Sequence, residues 1–384
     1  MDLLIGALIF LPFLTVIIAI HELGHFISAR RFGMKVTEYF VGFGPRKIWS
    51  RRKGELEYGV KPIFIGGYVK IAGMNPFEEN PPEDTPRLYG SKPIWQRAIT
   101  FVAGPGTHFV VAALIFAVLL AFYGDPTAAP ETPLVIEGVE RTLNDEVSPA
   151  FAAGMEPGDL LIGLGDVEEP TSEQMTQIVT AQVTDRPGEP LSVVVERDGE
   201  TLTLSIVPEL ADVDGETRGR MGVIISPPLY DPEPLGVGSA MVGGVKLVWF
   251  SIEESWHQIA RVFGPEGVGR VFSLLFNDEE RRLDDAGSVV GISRQVGTIS
   301  RGANAVATLL FLFGFVTVFV GLINLVPLPP FDGGHLLTLL IEKVRGKAVD
   351  MRTLIPISAA VMAFFVLFVG ATIVLDIAKP IPSP

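Results

Sequence analysis

The stretch that decides the fold lies near the N-terminus, where the uncharged run Leu3–Ile20 continues directly into His21-Glu22-Leu23-Gly24-His25. A run of about 20 apolar residues is long enough to cross the hydrocarbon core of a bilayer as a helix. The run lacks a basic N-terminal region and a small-x-small cleavage site, which a signal peptide would carry. We therefore expect a retained membrane helix with ionisable residues at its end.

The composition of the whole chain excludes several classes of protein. Of its 384 residues, 48% are hydrophobic and only 19% are charged, and the mean hydropathy is +0.40. The net charge of −14 argues against a nucleic-acid-binding protein, because phosphate contacts need clustered Lys and Arg. The absence of cysteine excludes disulfides, cysteine nucleophiles and thiolate metal sites.

Three further uncharged runs have the length of a membrane helix: Ala98–Phe122, Gly302–Phe331 and Thr353–Leu375. With the first run they predict a polytopic membrane protein with four transmembrane helices. The alternative is a soluble protein that buries four apolar helices in its core.

The charged residues predict the orientation of these helices. Residues 30–97 contain 13 Lys and Arg against 7 Asp and Glu, a net charge of +6, whereas residues 124–301 contain 12 against 31, a net charge of −19. Basic loops tend to stay in the cytoplasm. The basic segment is therefore expected inside and the acidic block outside, with both termini outside and the loop 332–352 inside.

The acidic block has the pattern of a small β-rich domain. Strand-like runs are predicted at Leu134–Val139, Leu160–Gly163, Leu191–Arg197 and Thr201–Val207, around one helical segment at 172–181. Asp198-Gly199 between two alternating runs predicts a hairpin. The phrase Ser148–Ile162, followed by Gly165-Asp166, resembles a bacterial PDZ domain, and the resemblance covers about residues 132–209. Another small β-rich module remains the alternative.

The segment after residue 231 is expected to connect this domain to the second membrane half. Residues 236–263 carry apolar residues at mixed helical spacing, with Lys246, Glu253, Glu254 and Arg261 among them. This pattern suits a helix on a membrane surface, and an ordinary soluble helix fits nearly as well.

The pentapeptide His21–His25 carries the chemistry expected of the protein. Residues four apart lie on one face of a helix, so both imidazoles can reach one zinc ion, while Glu22 can reach a water molecule as a general base. The alternative is a pair of structural histidines beside an incidental glutamate. Ionisable residues at the end of a membrane helix are costly, which favours the functional interpretation.

The third uncharged run supplies a candidate for another zinc ligand, Asp332. The run ends in the sequence Asn324-Leu-Val-Pro327-Leu-Pro329-Pro330-Phe331-Asp332-Gly333-Gly334-His335. Its prolines and glycines predict irregular backbone, which is tolerated at membrane depth where it lines a cavity or packs inside protein. A solvated Asp332 in a loop outside the membrane is the alternative.

Together these motifs resemble the site-2 protease family of intramembrane zinc metalloproteases. Besides His-Glu-Leu-Gly-His and the downstream Asn-x-x-Pro-x-Pro-x-x-Asp-Gly-Gly, the likeness rests on Val41–Arg46, Gly66–Gly73 and Ala103–Gly106. The matches run from residue 21 to residue 335. With an inserted PDZ domain, the bacterial regulator-of-sigma-E protease branch is the most similar.

The resemblance implies a role for each matching residue. It implies that His21, His25 and Asp332 bind Zn²⁺ and that Glu22 is the catalytic base. Asn324 would help to hold the substrate near the metal. Gly66, Gly67, Tyr68 and Val69 fall in a membrane-associated β-hairpin whose edge can pair with an extended substrate; a simple glycine turn is the alternative.

Some residues depart from the family pattern or have no role in it. Phe331 replaces the usual leucine, and His108 stands where the family has asparagine. His108 is expected to support the zinc site or the substrate, or to be simply a buried, hydrogen-bonded histidine. No role is predicted for His257 or His335.

The sequence thus predicts an α-helical polytopic membrane protein with an inserted α+β PDZ domain. Its expected parts are 1–123 with the zinc-binding helix, the periplasmic PDZ domain 124–231, the connecting segment 232–301 and the second membrane half 302–384. The expected location is a bacterial inner membrane, with the active site towards the cytoplasm.

The expected activity is regulated intramembrane proteolysis by a zinc metalloendopeptidase, after a first cut by another protease. The substrate would be a single-pass membrane protein, such as an anti-sigma factor or a signal-peptide remnant. One rival is a membrane-anchored PDZ scaffold with a vestigial metal site. Another is a transporter or ion channel that uses intramembrane His and Asp. It would show similar broken helices in both halves, whereas only one proline-broken segment is evident.

Overall fold

The computed structural model of the chain describes residues 2–75, 77–125, 134–143, 146–168, 180–184, 186–197, 199–213, 216–226, 233–277, 281, 285–301, 304–349 and 351–380. The chain divides into two units, Met1–Phe122 with Leu235–Pro384, and Tyr123–Pro234. Each unit is described separately below.

The helices and strands of the described residues are numbered in chain order. The helices are α1 (Asp2–Arg31), α2 (Ile94–Tyr123), α3 (Pro149–Ala152), α4 (Val237–Phe263), α5 (Pro265–Phe276), α6 (Val289–Ile299), α7 (Ala305–Asn324), α8 (Asp332–Arg345) and α9 (Leu354–Ala378). The strands are β1 (Val36–Phe43), β2 (Trp49–Lys53), β3 (Leu56–Val60), β4 (Ile63–Ile71), β5 (Leu134–Val139), β6 (Thr142–Leu143), β7 (Glu146–Val147), β8 (Leu160–Leu164), β9 (Val167–Glu168), β10 (Leu191–Arg197), β11 (Glu200–Ile206), β12 (Glu209–Val213), β13 (Glu216–Arg220) and β14 (Val223–Ser226).

Four helices of the first unit, α1, α2, α7 and α9, are long and apolar enough to cross a membrane, within the part of the chain that the structure describes. Each overlaps one of the four uncharged runs, so the prediction of four helices with transmembrane length and hydropathy is confirmed. The first helix continues past its apolar run through the histidine pair and ends with two arginines, whose charge is favourable at a helix C-terminus. The third ends at Asn324, before the proline-rich turn.

A four-stranded sheet lies between α1 and α2 in the chain, in the order β2-β3-β1-β4. β1 pairs in parallel with β3 and antiparallel with β4, where Val41 lies opposite Gly67. The expected two-stranded hairpin is therefore one edge of a larger sheet. β2, with the sequence Trp-Ser-Arg-Arg-Lys, is mostly exposed and lacks the apolar alternation that would have predicted it.

Helix α4 confirms the helix expected at 236–263. Its buried residues Ala240, Leu247 and Val248 form one apolar cluster with α2 and α7. Gly244 allows the helices to approach closely, since a Cβ there would lie 2.5 Å from the carbonyl oxygen of Ala113. This face of α4 thus packs on helices rather than facing solvent.

Helices α6 and α9 are joined by the buried carboxylate of Asp376. Its Oδ2 accepts hydrogen bonds from the backbone and hydroxyl of Ser288 at 2.7 and 2.6 Å, and its Oδ1 pairs with Arg281 at 2.5 Å. These partners satisfy a charge that would otherwise be costly in an apolar setting.

The second unit contains an antiparallel sheet in the order β11-β10-β8-β5-β14, with β9 beside β8. All four predicted strands are confirmed as β5, β8, β10 and β11. The predicted hairpin is also confirmed: β10 and β11 pair antiparallel, and Gly199 has a φ of 81°. Most of the predicted helix 172–181 lies outside the described residues.

Candidate metal centre

The two histidines of α1 point at a common position. His21 and His25 are one turn apart and both are buried, and their Nε2 atoms are 3.1 Å apart. Helical spacing places the side chains at positions i and i+4 on one face, one above the other. The structure thus brings this predicted pair together.

Asp332 completes a group of three donors from the other end of the chain. It is the first residue of α8 and follows the turn 325–331. Its Oδ2 lies 3.2 Å from the Nε2 of His21 and 3.3 Å from the Nε2 of His25. The turn packs closely on the start of α8. A Cβ on Gly333 would lie 2.2 Å from the backbone of the turn, and a Cβ on Gly334 would lie 2.3 Å from it.

The spacing of the three donors fits a zinc ion. Zinc bonds of about 2.0–2.1 Å in a tetrahedral arrangement place neighbouring ligand atoms roughly 3.3 Å apart. The observed separations are 3.1, 3.2 and 3.3 Å. The Oδ2 of Asp332 is buried and has no hydrogen-bond partner among the described residues, which is expected of an oxygen that coordinates a metal. Two imidazoles and one carboxylate are also a donor set typical of zinc proteases.

Helix α2 supports both histidines from behind. The Nδ1 of His25 lies 2.8 Å from the carbonyl oxygen of Thr100, and the Nδ1 of His21 lies 3.0 Å from the Nε2 of His108. Between them stands Gly104, where a Cβ would lie 2.3 Å from the Nε2 of His25. Thr100, Gly104 and His108 are four residues apart and share the face of α2 that meets α1.

The contact with Thr100 could not be recognised from the sequence, because a backbone carbonyl is present at every residue. His108 was expected either to support the zinc site or the substrate, or to be a buried, hydrogen-bonded histidine, and its position is compatible with support of the zinc site and with a buried, hydrogen-bonded histidine. His108 touches the imidazole of a metal-ligand candidate and is only 2% exposed.

Glu22 lies beside the three donors, in the same cavity of about 270 Å³. Strand β4 forms one wall of this cavity, with Tyr68 and Val69 lining it. A Cβ on Gly67 would lie 3.3 Å from the Cγ of Glu22, so the strand passes close to the carboxylate. The structure thus brings together Glu22, which was predicted to be the general base, the three donors and an extended strand.

The other residues that were predicted to bind the substrate differ in their position relative to the cavity. Asn324 lines the cavity, and its Nδ2 donates a hydrogen bond to the carbonyl oxygen of Val320 at 2.9 Å. Gly66 is not at the cavity wall: a Cβ there would lie 2.1 Å from the ring of Phe43, on the sheet itself. Tyr68 uses its hydroxyl within the sheet, where it donates to Glu38 at 2.6 Å and accepts from Lys61 at 2.9 Å.

Three other residues singled out in the sequence have distinct places. His335 lines the cavity and stacks on Phe101, with ring centroids 4.5 Å apart, and burial lowers the pKa of its imidazole. His257 is exposed on α4. Phe331 packs edge-on against Phe365 of α9, so the aromatic ring in the leucine position serves packing.

Comparison with known proteins shows similarity along nearly the whole chain. The model of peptidase family M50 matches residues 9–369. Zinc metalloprotease Rip1 of Mycobacterium tuberculosis is 31% identical over 412 aligned positions, which cover 98% of each chain. Rip1 of Mycolicibacterium smegmatis is 29% identical, again with 98% of each chain covered. A proposed zinc metalloprotease of Brucella suis is 30% identical over 91% of this chain and 89% of its own.

Proposed function

The chain belongs to peptidase family M50 and is a zinc metalloprotease, and we propose that it cuts within or near the membrane-spanning segment of another membrane protein. The observation that carries the proposal is the position of the donors. His21 and His25 stand in α1, one of the four candidate membrane helices, and Asp332 meets them there. A protease centre in such a helix is within reach of peptide bonds near the bilayer.

His21, His25 and Asp332 are proposed to hold the zinc ion. When bound, zinc supplies a Lewis acid that polarises the scissile carbonyl and acidifies the attacking water. The Glu22 carboxylate would take the proton of that water and deliver it to the leaving amide nitrogen. Glu22 lines the cavity beside the donors, as these two proton transfers require.

Strand β4 is proposed to bind the substrate by adding a strand to the sheet. The strand order leaves β4 paired on one side only, with β1, among the described residues. Tyr68 and Val69 line the cavity, and the glycines Gly66 and Gly67 precede them. A helical peptide bond is shielded by its own hydrogen bonds, so an edge strand that pairs with an extended segment would expose it for hydrolysis. Asn324, on the cavity wall, is proposed to help hold that segment.

The sheet is also proposed to contact the membrane. Thr15, deep within the apolar part of α1, donates a hydrogen bond to the carbonyl oxygen of Phe64 at 2.7 Å. At the same end of the sheet, Phe43, Trp49 and Ile63 expose 44%, 54% and 50% of their surface. Aromatic and aliphatic side chains so exposed at the level of a membrane helix suit contact with lipid.

The second unit is proposed to be a PDZ domain outside the cytoplasm, as its acidic charge suggests. Its support is the order of elements, in which the short helix α3 and strand β8 follow the pattern of the Ser148–Ile162 phrase. The whole protein is proposed to sit in a bacterial inner membrane with both termini periplasmic and the zinc site towards the cytoplasm. The basic loop and the acidic unit support this orientation.

The proposed substrates are single-pass proteins already trimmed by another protease, such as an anti-sigma factor or a signal-peptide remnant. The PDZ domain would act as a size filter or hold the new carboxyl end of the trimmed substrate. A vestigial metal site in a scaffold protein is less consistent with three donors whose spacing fits zinc.

Proteoliposomes provide the test of this proposal. Wild-type protein is reconstituted with a single-pass model substrate that either carries or lacks a folded exterior domain, and products are mapped by mass spectrometry. We expect a cut in or beside the membrane segment, faster in the trimmed substrate, and a loss of that preference when residues 124–231 are deleted. Cleavage confined to soluble parts of the substrate would refute the proposed substrate class.

A further inference from the structure

His108 is held against His21 by close packing of three helices. It lies on α2 and is 2% exposed, and its Nε2 is 3.0 Å from the Nδ1 of His21. Gly321 of α7 faces it, and a Cβ on that glycine would lie 2.8 Å from the Cβ of His108. The absence of a side chain at Gly321 therefore leaves room for the imidazole.

The chemistry of imidazole fixes the direction of this contact. If the Nε2 of His21 donates its lone pair to zinc, its Nδ1 carries the hydrogen and must donate it. The Nε2 of His108 must then be the acceptor, so His108 is neutral and carries its own hydrogen on Nδ1. A hydrogen-bond acceptor behind a ligand histidine fixes its tautomer, orients its ring and makes it more basic towards the metal.

The two histidine ligands are supported in different ways. His25 relies on the backbone carbonyl of Thr100, which the helix supplies whatever the side chain. His21 relies on the side chain of His108, which a substitution can remove. A side-chain substitution can therefore remove the hydrogen-bond partner of His21, but not that of His25.

We propose that His108 is a positioning residue that tightens zinc binding by accepting the Nδ1 hydrogen of His21. The inference rests on the proposed role of His21 as a zinc ligand. It assigns a function to the histidine that departs from the family pattern at this position.

Zinc affinity gives a test that does not depend on turnover. Apparent zinc dissociation constants are measured by chelator competition on full-length wild type, His108→Leu and His108→Gln in detergent micelles. Leu keeps the apolar volume without an acceptor, whereas the amide oxygen of Gln can reach the place of the Nε2. We expect His108→Leu to weaken zinc binding by about 10–100-fold, the range for losing such a partner, and His108→Gln to stay near wild type.

The controls separate positioning from general packing. The melting temperature of each zinc-free variant reports packing, and His257→Leu removes an exposed histidine from α4 without touching the centre. Gly321→Ala provides an independent variant, because its new Cβ would displace His108 while leaving the imidazole intact. It should also weaken zinc binding.

The outcomes distinguish this inference from the proposed metal site. If His108→Leu binds zinc like wild type while His21→Ala loses it, the role of His108 is refuted and the metal site stands. Equal losses in the Leu and Gln variants, with matching drops in zinc-free melting temperature, would also refute it in favour of packing. If His21→Ala itself binds zinc like wild type, the proposed metal site is refuted.

Discussion

The Oδ2 of Asp332 lies 3.2 Å from the Nε2 of His21, although the two residues belong to opposite halves of the chain. The first membrane helix and the turn before α8 therefore meet at one point. The contact has a direct consequence for metal binding.

Replacing Asp332 by Ala should remove a zinc donor while leaving the helices in place. We expect zinc affinity to fall by more than about 100-fold, beyond the cost of losing a hydrogen-bond partner of a ligand. Chelator competition measures it, and circular dichroism shows whether the helices persist. Wild-type affinity in the variant would exclude Asp332 as a ligand.

Two glycines of α2 form a matched pair for testing the geometry of the centre. A Cβ on Gly104 would lie 2.3 Å from the Nε2 of His25, whereas a Cβ on Gly106 would meet nothing within 4 Å. Gly104→Ala should therefore weaken zinc binding and reduce turnover. Gly106→Ala should preserve both, and it gains helix propensity of about 0.8–1 kcal/mol. Equal behaviour of the two variants would contradict the position of His25 against α2.

An ion pair holds α8, the helix that begins with Asp332, against α2. Arg97 contacts both carboxylate oxygens of Glu342, at 3.0 and 2.5 Å, and both side chains are largely buried. Breaking a buried pair by removing one partner typically costs about 3–5 kcal/mol. We expect Glu342→Gln to lower the melting temperature and to speed zinc loss to a chelator. A double-mutant cycle with Arg97→Met isolates the pair, and additive effects would show that it does not couple the two helices.

The carboxyl group of Asp159 should make the stability of the second unit depend on pH. Burial alone would raise the pKa of Asp159, but hydrogen bonds from Arg197 and from the backbone N–H of Glu156 outweigh it and hold that pKa below its ordinary value. A carboxyl group with a lowered pKa stabilises the fold above its unfolded-state pKa of about 3.9. That stabilisation is lost as the pH falls through the lower, folded-state pKa.

Asp159→Asn should therefore destabilise this unit by about 1.5–3 kcal/mol at neutral pH and flatten the acid limb of its stability curve. Hydrogen exchange of β10 in the full-length protein measures both effects. Glu156→Gln is the control, because that carboxylate is 65% exposed and its pair with Arg197 should contribute at most about 1 kcal/mol. A parallel acid limb in Asp159→Asn and wild type would contradict the assignment.

Much of the centre could be predicted because its residues obey local rules. His21 and His25 are one helical turn apart, which any helix places on one face. Asp332 follows a break rich in prolines that no membrane helix would carry without reason. Spacing along the chain does not give the distance between these elements in space. Asp332 was predicted as a further zinc ligand from its proline-rich context, and the resemblance to known proteases implied the same role.

The parts that were missed depend on contacts without a local signal. Strand β2 is built from mostly exposed, mostly charged residues and forms one edge of the sheet, whereas β1 and β3, which flank it in the chain, pair in parallel with each other. Neither feature has a local signal, so the sequence predicted only a hairpin. The carbonyl of Thr100 supports His25 through the backbone, which the residue type does not reveal. The spacing of apolar residues in the connecting segment predicted helix α4. It did not predict which face of α4 packs on α2 and α7.

The most direct test of the central claim is a paired measurement on purified wild type and Glu22→Gln. Zinc per chain is determined by elemental analysis, and turnover is determined on a model membrane substrate. A general base typically contributes about 10²–10⁴-fold to the rate, so the variant should keep one zinc per chain and lose at least about 100-fold in turnover. Unchanged turnover in Glu22→Gln, or active wild-type protein without zinc, would contradict the account.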